Sequence, residues 1–153
     1  MTEPVRMVDI TKKPETYREA VAEGFIRLKE STIKLIREGK VEKGNPLAIA
    51  TVAATIATKK TPELIPMAHN IPITNVRIEY EIHNNGIKAK ATVKTTAKTG
   101  VEMEALTAVT TALLNIWDIV KKYEKDEQGQ YPTTKIENIR VTKKLKAPLP
   151  QHE

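Results

Sequence analysis

The chain has 153 residues, 40% apolar and 29% charged, enough to bury a core and ordinary for a globular protein. It has no cysteine, which excludes disulfides, thiolate catalysis and cysteine zinc sites. A formal charge of +6 favours anionic partners, and aromatics at 4% leave little on which to stack bases, so a small phosphorylated ligand fits better than RNA. A soluble, lysine-rich surface accounts for the charge equally well.

No internal repeat or low-complexity linker interrupts the sequence. Residues 1–153 therefore read as a single domain with an ordered core over about 7–145. The first six residues and the tail APLPQHE, which carries His152, read as frayed. The N-terminal MTEPVRMVDITKK lacks the apolar core of a signal peptide, and no apolar run reads as a bilayer span. A soluble cytoplasmic protein is expected.

PETYREAVAEGFIRLKESTIKLIREG predicts one helix, with Pro14 in its first turn and Gly39 just past its end. NPLAIATVAATIATKK predicts a second, with Asn45 as N-cap and Pro46 at the first helical position. From Leu47 to Ala57 it is apolar or small nearly all round, so it must be buried on most sides. A subunit interface is one partner that would cover it.

KKTPELIPMAHNIPITNV is a connection stiffened by Pro62, Pro66 and Pro72 around His69. A lone loop histidine is more often structural than catalytic, but a rigid setting is what a positioned acid or base needs. ITNVRIEYEIH alternates, with Val76, Ile78, Tyr80 and Ile82 on one face and Arg77, Glu79 and Glu81 on the other. Asn84 to Gly86 signals a hairpin turn, and IKAKATVKTTAK alternates again with Lys88, Lys90 and Lys94 on its polar face.

KTGVEMEALTAVTTALLNIWDIVKKYEK predicts a long helix from Lys98 to Lys125. At 100° per residue, Leu106, Val109, Leu113, Ile116 and Val120 form the core stripe. Thr107, Thr111, Leu114, Asp118 and Lys121 fall roughly opposite, with Glu104 beside them. Asp118 and Lys121 are three apart and so adjacent; on spacing alone they are a solvated ion pair. Glu102 points toward the apolar stripe, and Thr99 three residues earlier makes a capping box. Lys98 and the helix N-terminus could instead hold an anion. TTKIENIRVTKKLK supplies a last strand. The order predicts an α+β fold with helices on one face of an antiparallel sheet. No histidine or acidic cluster has metal-ligand spacing, and there is no Walker loop or GxGxxG, so neither metal nor cofactor is expected.

Five segments occur in a telling order: MVDIT from Met7, KG at Lys43–Gly44, LIPMAH from Leu64 to His69, KTGVEMEALTA from Lys98 to Ala108, and WDIVKK from Trp117 to Lys122. Together, over roughly Met7 to Leu145, they resemble the molybdenum-cofactor biosynthesis protein C family, the cyclic pyranopterin monophosphate synthases. The resemblance implies a ferredoxin-like fold and a homohexamer made of three dimers, with the active site at the dimer interface. It implies a lyase that turns 3′,8-cyclo-7,8-dihydroguanosine 5′-triphosphate into cyclic pyranopterin monophosphate with release of pyrophosphate. By position, Asp118 and Lys121 match the family's catalytic pair and Lys43 its other key lysine. Met67, Ala68 and His69 match one substrate-binding segment, Met103 and Glu104 the other, and Glu102 a further active-site carboxylate. The family usually reads Leu-Cys-His-Pro where this chain has Met67-Ala68-His69-Asn70, so position 68 acts here by backbone or shape.

That chemistry assigns roles. Opening a purine-derived ring and reclosing it as a pterin needs proton donors and acceptors: Asp118 and Lys121, with His69 assisting. The departing pyrophosphate needs fixed cations, supplied by Lys43 and Lys121, and Lys59 or Lys60 would help hold the triphosphate. Glu102 and Glu104 would accept from the amino and ring N–H groups. The polar face of the long helix, beside a helix that needs burial, suggests a site closed by a neighbouring chain, with Lys43 and Lys121 supplied by different chains. A basic nucleic-acid-binding module is the competing reading. The hairpin's lack of an RNP-like aromatic pair argues against it, so no nucleic-acid or membrane partner is expected.

Overall fold

The computed structural model describes residues 4–150, and His152 lies outside them. The elements run β1 (Thr16–Arg27), α1 (Glu30–Arg37), α2 (Pro46–Lys59), α3 (Thr61–Leu64), β2 (Ile73–His83), β3 (Gly86–Ala97), α4 (Glu102–Glu124) and β4 (Lys135–Ala147). The strands make one antiparallel sheet in the order β2-β3-β1-β4, the ferredoxin-like arrangement. α4 lies across β1 and β3, and α2 packs on α4 and β2. The fold is α+β, as the sequence pattern predicts.

The first predicted helix is wrong over half its length. Residues 16–27 are the central strand β1, and only Glu30–Arg37 is helical. Arg18, Ala20, Ala22, Gly24 and Ile26 are buried at every second position, the period of a strand. Alanine, glutamate and arginine favour helices, but pairing with both β3 and β4 overrides that weak preference. Gly24 records the reason. A Cβ there would sit 2.8 Å from Leu113 Cδ1 and 3.0 Å from Val109 Cγ1, so α4 rests directly on the strand backbone. Gly39, at φ +67°, does end α1 as expected.

The hairpin forms as read. His83 pairs with Gly86 across a two-residue turn, and any side chain at Gly86 would run into the Ile26 carbonyl and the Phe25 ring. The lysines of β3 face away from the helices, where Lys88 Nζ lies 3.1 Å from Glu23. Asn45 caps α2, accepting from the Leu47 and Ala48 N–H groups at 3.0 and 3.3 Å.

The core joins Ala20, Ala22, Ala89, Ala91 and Val93 of the sheet to Val109, Leu113, Ile116 and Val120 of α4, all fully buried. Burying one such leucine or isoleucine contributes about 2–3 kcal/mol. The stripe on α4 is wider than predicted, because α2 covers a second side: Ala105, Ala108 and Ala112 are also fully buried. By length and composition, the 23 residues of α4 would suit a membrane span, contrary to the sequence reading. Sheet and α2 take up its apolar side instead. On α2 itself, Ala50 and Ala54 are buried, while Val52 and Ile56 are 62% and 51% exposed. Within one chain, α2 is covered on one side only.

Candidate active site

Asp118 and Lys121 lie one turn apart near the C-terminal end of α4, with Lys121 Nζ 3.0 Å from Asp118 Oδ1. Lys43 reaches the same carboxylate from the segment before α2. Its Nζ is 3.8 Å from Asp118 Oδ2 and 3.4 Å from the Asp118 carbonyl oxygen. A tight turn presents Lys43: Gly44, at φ +113°, donates its N–H to the Val41 carbonyl at 3.1 Å. Val41 is buried, Glu42 N–H donates to the Tyr123 hydroxyl at 2.9 Å, and Glu42 pairs with Lys122. These contacts dock the turn on the last turns of α4.

The hydrogen bond from Lys121, then its charge and that of Lys43, hold the Asp118 carboxyl below its ordinary range. The same carboxylate raises Lys121 above the ordinary lysine range. A carboxylate between two ammoniums opens on a cavity of about 380 Å3, lined also by Ile119 and Tyr123. The expectation that Lys43 and Lys121 come from different chains fails, because one chain supplies both.

A second group gathers at the opposite end of α4. Ala68, His69, Gly100, Glu102, Met103 and Glu104 line a hollow of about 120 Å3. His69 Nε2 is 2.7 Å from the Val8 carbonyl oxygen. A carbonyl only accepts, so Nε2 carries the hydrogen and Nδ1 is left as the second ring position. Lys98 Nζ donates to the Thr11 carbonyl at 3.1 Å, which ties it to the N-terminal segment. Asp9 shapes that segment by accepting from Thr11 N–H and Oγ1 at 2.9 and 2.6 Å. The MVDIT motif thus supplies the backbone behind His69, a contact its sequence did not reveal.

Glu104 was expected on the polar face but is buried, 3% exposed. Burial, helped by the nearby Glu102 charge, pushes its carboxyl above the ordinary glutamate value. The capping box does not form. α4 begins at Glu102 with Val101 as N-cap and no side-chain cap, two residues later than Thr99 would need. The Glu102 carboxylate lies over Gly100, with Oε1 3.0 Å from Lys144 Nζ in an ion pair without hydrogen-bond geometry. Met67 and Met103 are 42% and 40% exposed, and Lys59 lines neither hollow.

The two groups are far apart. Glu104 and Asp118 are on one straight helix, and 14 residues at 1.5 Å each separate them by about 21 Å. One ring-sized substrate cannot touch both within a chain.

Glu124, missed in the run KKYEK, is fully buried. Its carboxylate accepts from the Lys29 N–H at 3.1 and 3.2 Å, from Thr134 Oγ1 at 2.7 Å and from the Thr32 hydroxyl. It ties the end of α4 to the start of α1 and to the entry of β4. Among the described residues, no three histidine or acidic side chains are grouped to hold a metal ion.

The model of the MoaC family matches residues 7–147. A probable cyclic pyranopterin monophosphate synthase of Pyrococcus abyssi is 58% identical over 142 residues, which cover 93% of this chain and 89% of the relative. Its counterpart in Archaeoglobus fulgidus is also 58% identical, over 93% of this chain and 91% of the relative. A probable cyclic pyranopterin monophosphate synthase accessory protein of Methanothermobacter thermautotrophicus is 56% identical over 145 residues, 95% of this chain and 91% of the relative. With both groups of side chains falling inside the matched span, the chain belongs to the MoaC family.

Proposed function

We propose that the chain is a cyclic pyranopterin monophosphate synthase. It acts in the cytoplasm as a lyase of molybdenum-cofactor biosynthesis, on 3′,8-cyclo-7,8-dihydroguanosine 5′-triphosphate with release of pyrophosphate. The observation that carries this is Asp118 held between Lys43 and Lys121 over a cavity large enough for part of a nucleotide. Similarity to proteins named as this synthase supports it.

The two lysines give fixed cations for the charge that grows as a cyclic phosphate closes and pyrophosphate leaves. Lys121, raised by Asp118, stays protonated as a fixed cation, and ionised Asp118 keeps it oriented. Glu102 and Glu104 accept from the ring N–H and amino groups, and His69 assists with proton transfer beside them. Met67, Ala68 and Met103 shape the ring's side of the pocket.

A complete site joins the His69–Glu104 group of one chain to the Lys43–Asp118–Lys121 group of a neighbour. The separation of about 21 Å within one chain motivates this. The apolar outer side of the helical layer, with Val52, Ile56, Leu64 and Leu114 all more than half exposed, suits burial in such an assembly. A hexamer of three dimers follows from the family resemblance. The test is to incubate the purified chain with the cyclic triphosphate. Coupled loss of substrate and release of pyrophosphate is expected, and a chain that gives neither overturns the reading.

A further inference from the structure

The Tyr123 phenol faces the catalytic cavity with its hydrogen uncommitted. Its oxygen accepts the Glu42 N–H at 2.9 Å. A backbone N–H only donates, so that contact leaves the phenolic hydrogen free, and no described group accepts it. The ring packs partly buried against the core, which fixes where the hydroxyl points. Tyr123 lines the cavity with Lys43, Asp118, Lys121, Lys122 and Glu42, and its hydroxyl meets the backbone of that last residue.

That cavity has three ammoniums against two carboxylates, so it is net cationic. Lys122 Nζ sits 5.3 Å from the Tyr123 ring centroid and pairs with Glu42, while Asp118 is shared by Lys43 and Lys121. The acceptor that suits such a setting carries several anionic oxygens. A neutral donor among the cations adds direction, because an ammonium is a point charge that rotates freely whereas the phenol is held in one plane.

We propose that Tyr123 is a further substrate-binding residue, donating its phenolic O–H to an oxygen of the substrate's phosphate chain. This rests on reading the Lys43–Asp118–Lys121 group as the reaction site. Nothing in the run KKYEK marks this role, since Tyr123 is a half-buried helix residue between an exposed Lys122 and a buried Glu124.

The probe is inorganic pyrophosphate, titrated by calorimetry into the wild-type chain, Tyr123→Phe, Lys43→Ala and the double variant. Phenylalanine keeps the ring but removes the acceptor for the Glu42 N–H, so unfolding is compared across all four. Losing one hydrogen bond to an anionic oxygen corresponds to weakening by about tenfold to a hundredfold. That loss is expected from Tyr123→Phe in both the wild-type and the Lys43→Ala backgrounds, and turnover in the wild-type background should show a matching rise in KM with little change in kcat. A loss seen only when Lys43 is present means Tyr123 merely holds the Lys43 turn, and overturns direct donation. Unchanged affinity in both backgrounds, or no saturable binding by the wild-type chain, overturns it as well. Turnover of Asp118→Asn is measured alongside. If that variant is inactive while Tyr123→Phe behaves as wild type, the site stands and only the tyrosine role falls. If Asp118→Asn is fully active, the site itself is misplaced.

Discussion

Lys43 and Asp118 lie 75 residues apart in sequence, yet the ammonium of one rests against both the carboxylate and the carbonyl of the other. Their meeting depends on the 41–44 turn, which a buried Val41, a glycine with positive φ, the Tyr123 hydroxyl and the Glu42–Lys122 pair hold in place. Half-exposed ion pairs add little to stability, so this arrangement is better explained by chemistry than by folding.

Asp118→Asn and Lys121→Ala are each expected to abolish turnover. Both groups are exposed, so the far-UV spectrum and unfolding midpoint should stay at wild-type values. Near-normal product formation by either purified variant would leave the pair a solvated surface contact.

The periodicity of the hairpin and of α4 was legible because one face of each is buried and the other is wet. β1 was not, since three of its five inward residues, Ala20, Ala22 and Gly24, are too small to mark a strand in a sequence rich in helix formers. Among the site residues, Asp118 and Lys121 were legible as helix neighbours. Lys43 was reached only through the family resemblance, because the turn that aims it is built by contacts from a distant element. Glu104 was misplaced to the polar face because the buried side of α4 is wider than the predicted stripe and takes in Glu104, Thr107 and Ala108.

Glu104 sets a pH dependence. Its carboxyl is raised in the folded chain by burial, so the folded state binds its proton more tightly than the unfolded state does. Stability from this group is therefore greatest below the ordinary glutamate value of 4.5 and falls as pH rises toward the raised folded value. Glu104→Gln should remove that slope and raise the unfolding midpoint at neutral pH. Thermal melts across the acid range check it. A variant with the wild-type slope would mean that Glu104 titrates as an exposed carboxylate.

Glu124→Ala removes the acceptor for the Lys29 N–H and for two threonine hydroxyls, all at a fully buried point. Leaving those donors unsatisfied should cost about 3 kcal/mol, measured by denaturant unfolding. Glu124→Gln keeps one acceptor oxygen and should lose less. If the alanine variant is as stable as the wild type, the carboxylate is not the tie between α4, α1 and β4.

Subunit mixing separates the two possible arrangements of the site. Lys43 and Lys121 flank one carboxylate in one chain, so mixing Lys43→Ala with Lys121→Ala subunits cannot create an intact group. No activity should return, even after complete exchange. Mixing Lys121→Ala with His69→Ala is different. If each site takes His69 from one chain and Lys121 from its neighbour, a hybrid pair holds one doubly damaged site and one wild-type site. Half of the pairs in a random equal mixture are hybrids, so about a quarter of wild-type activity should return. Mass spectrometry of the mixture verifies exchange. No recovery in the second mixture would mean that a single chain completes its own site, and α4 would then have to bend or move to bring its two ends to one substrate.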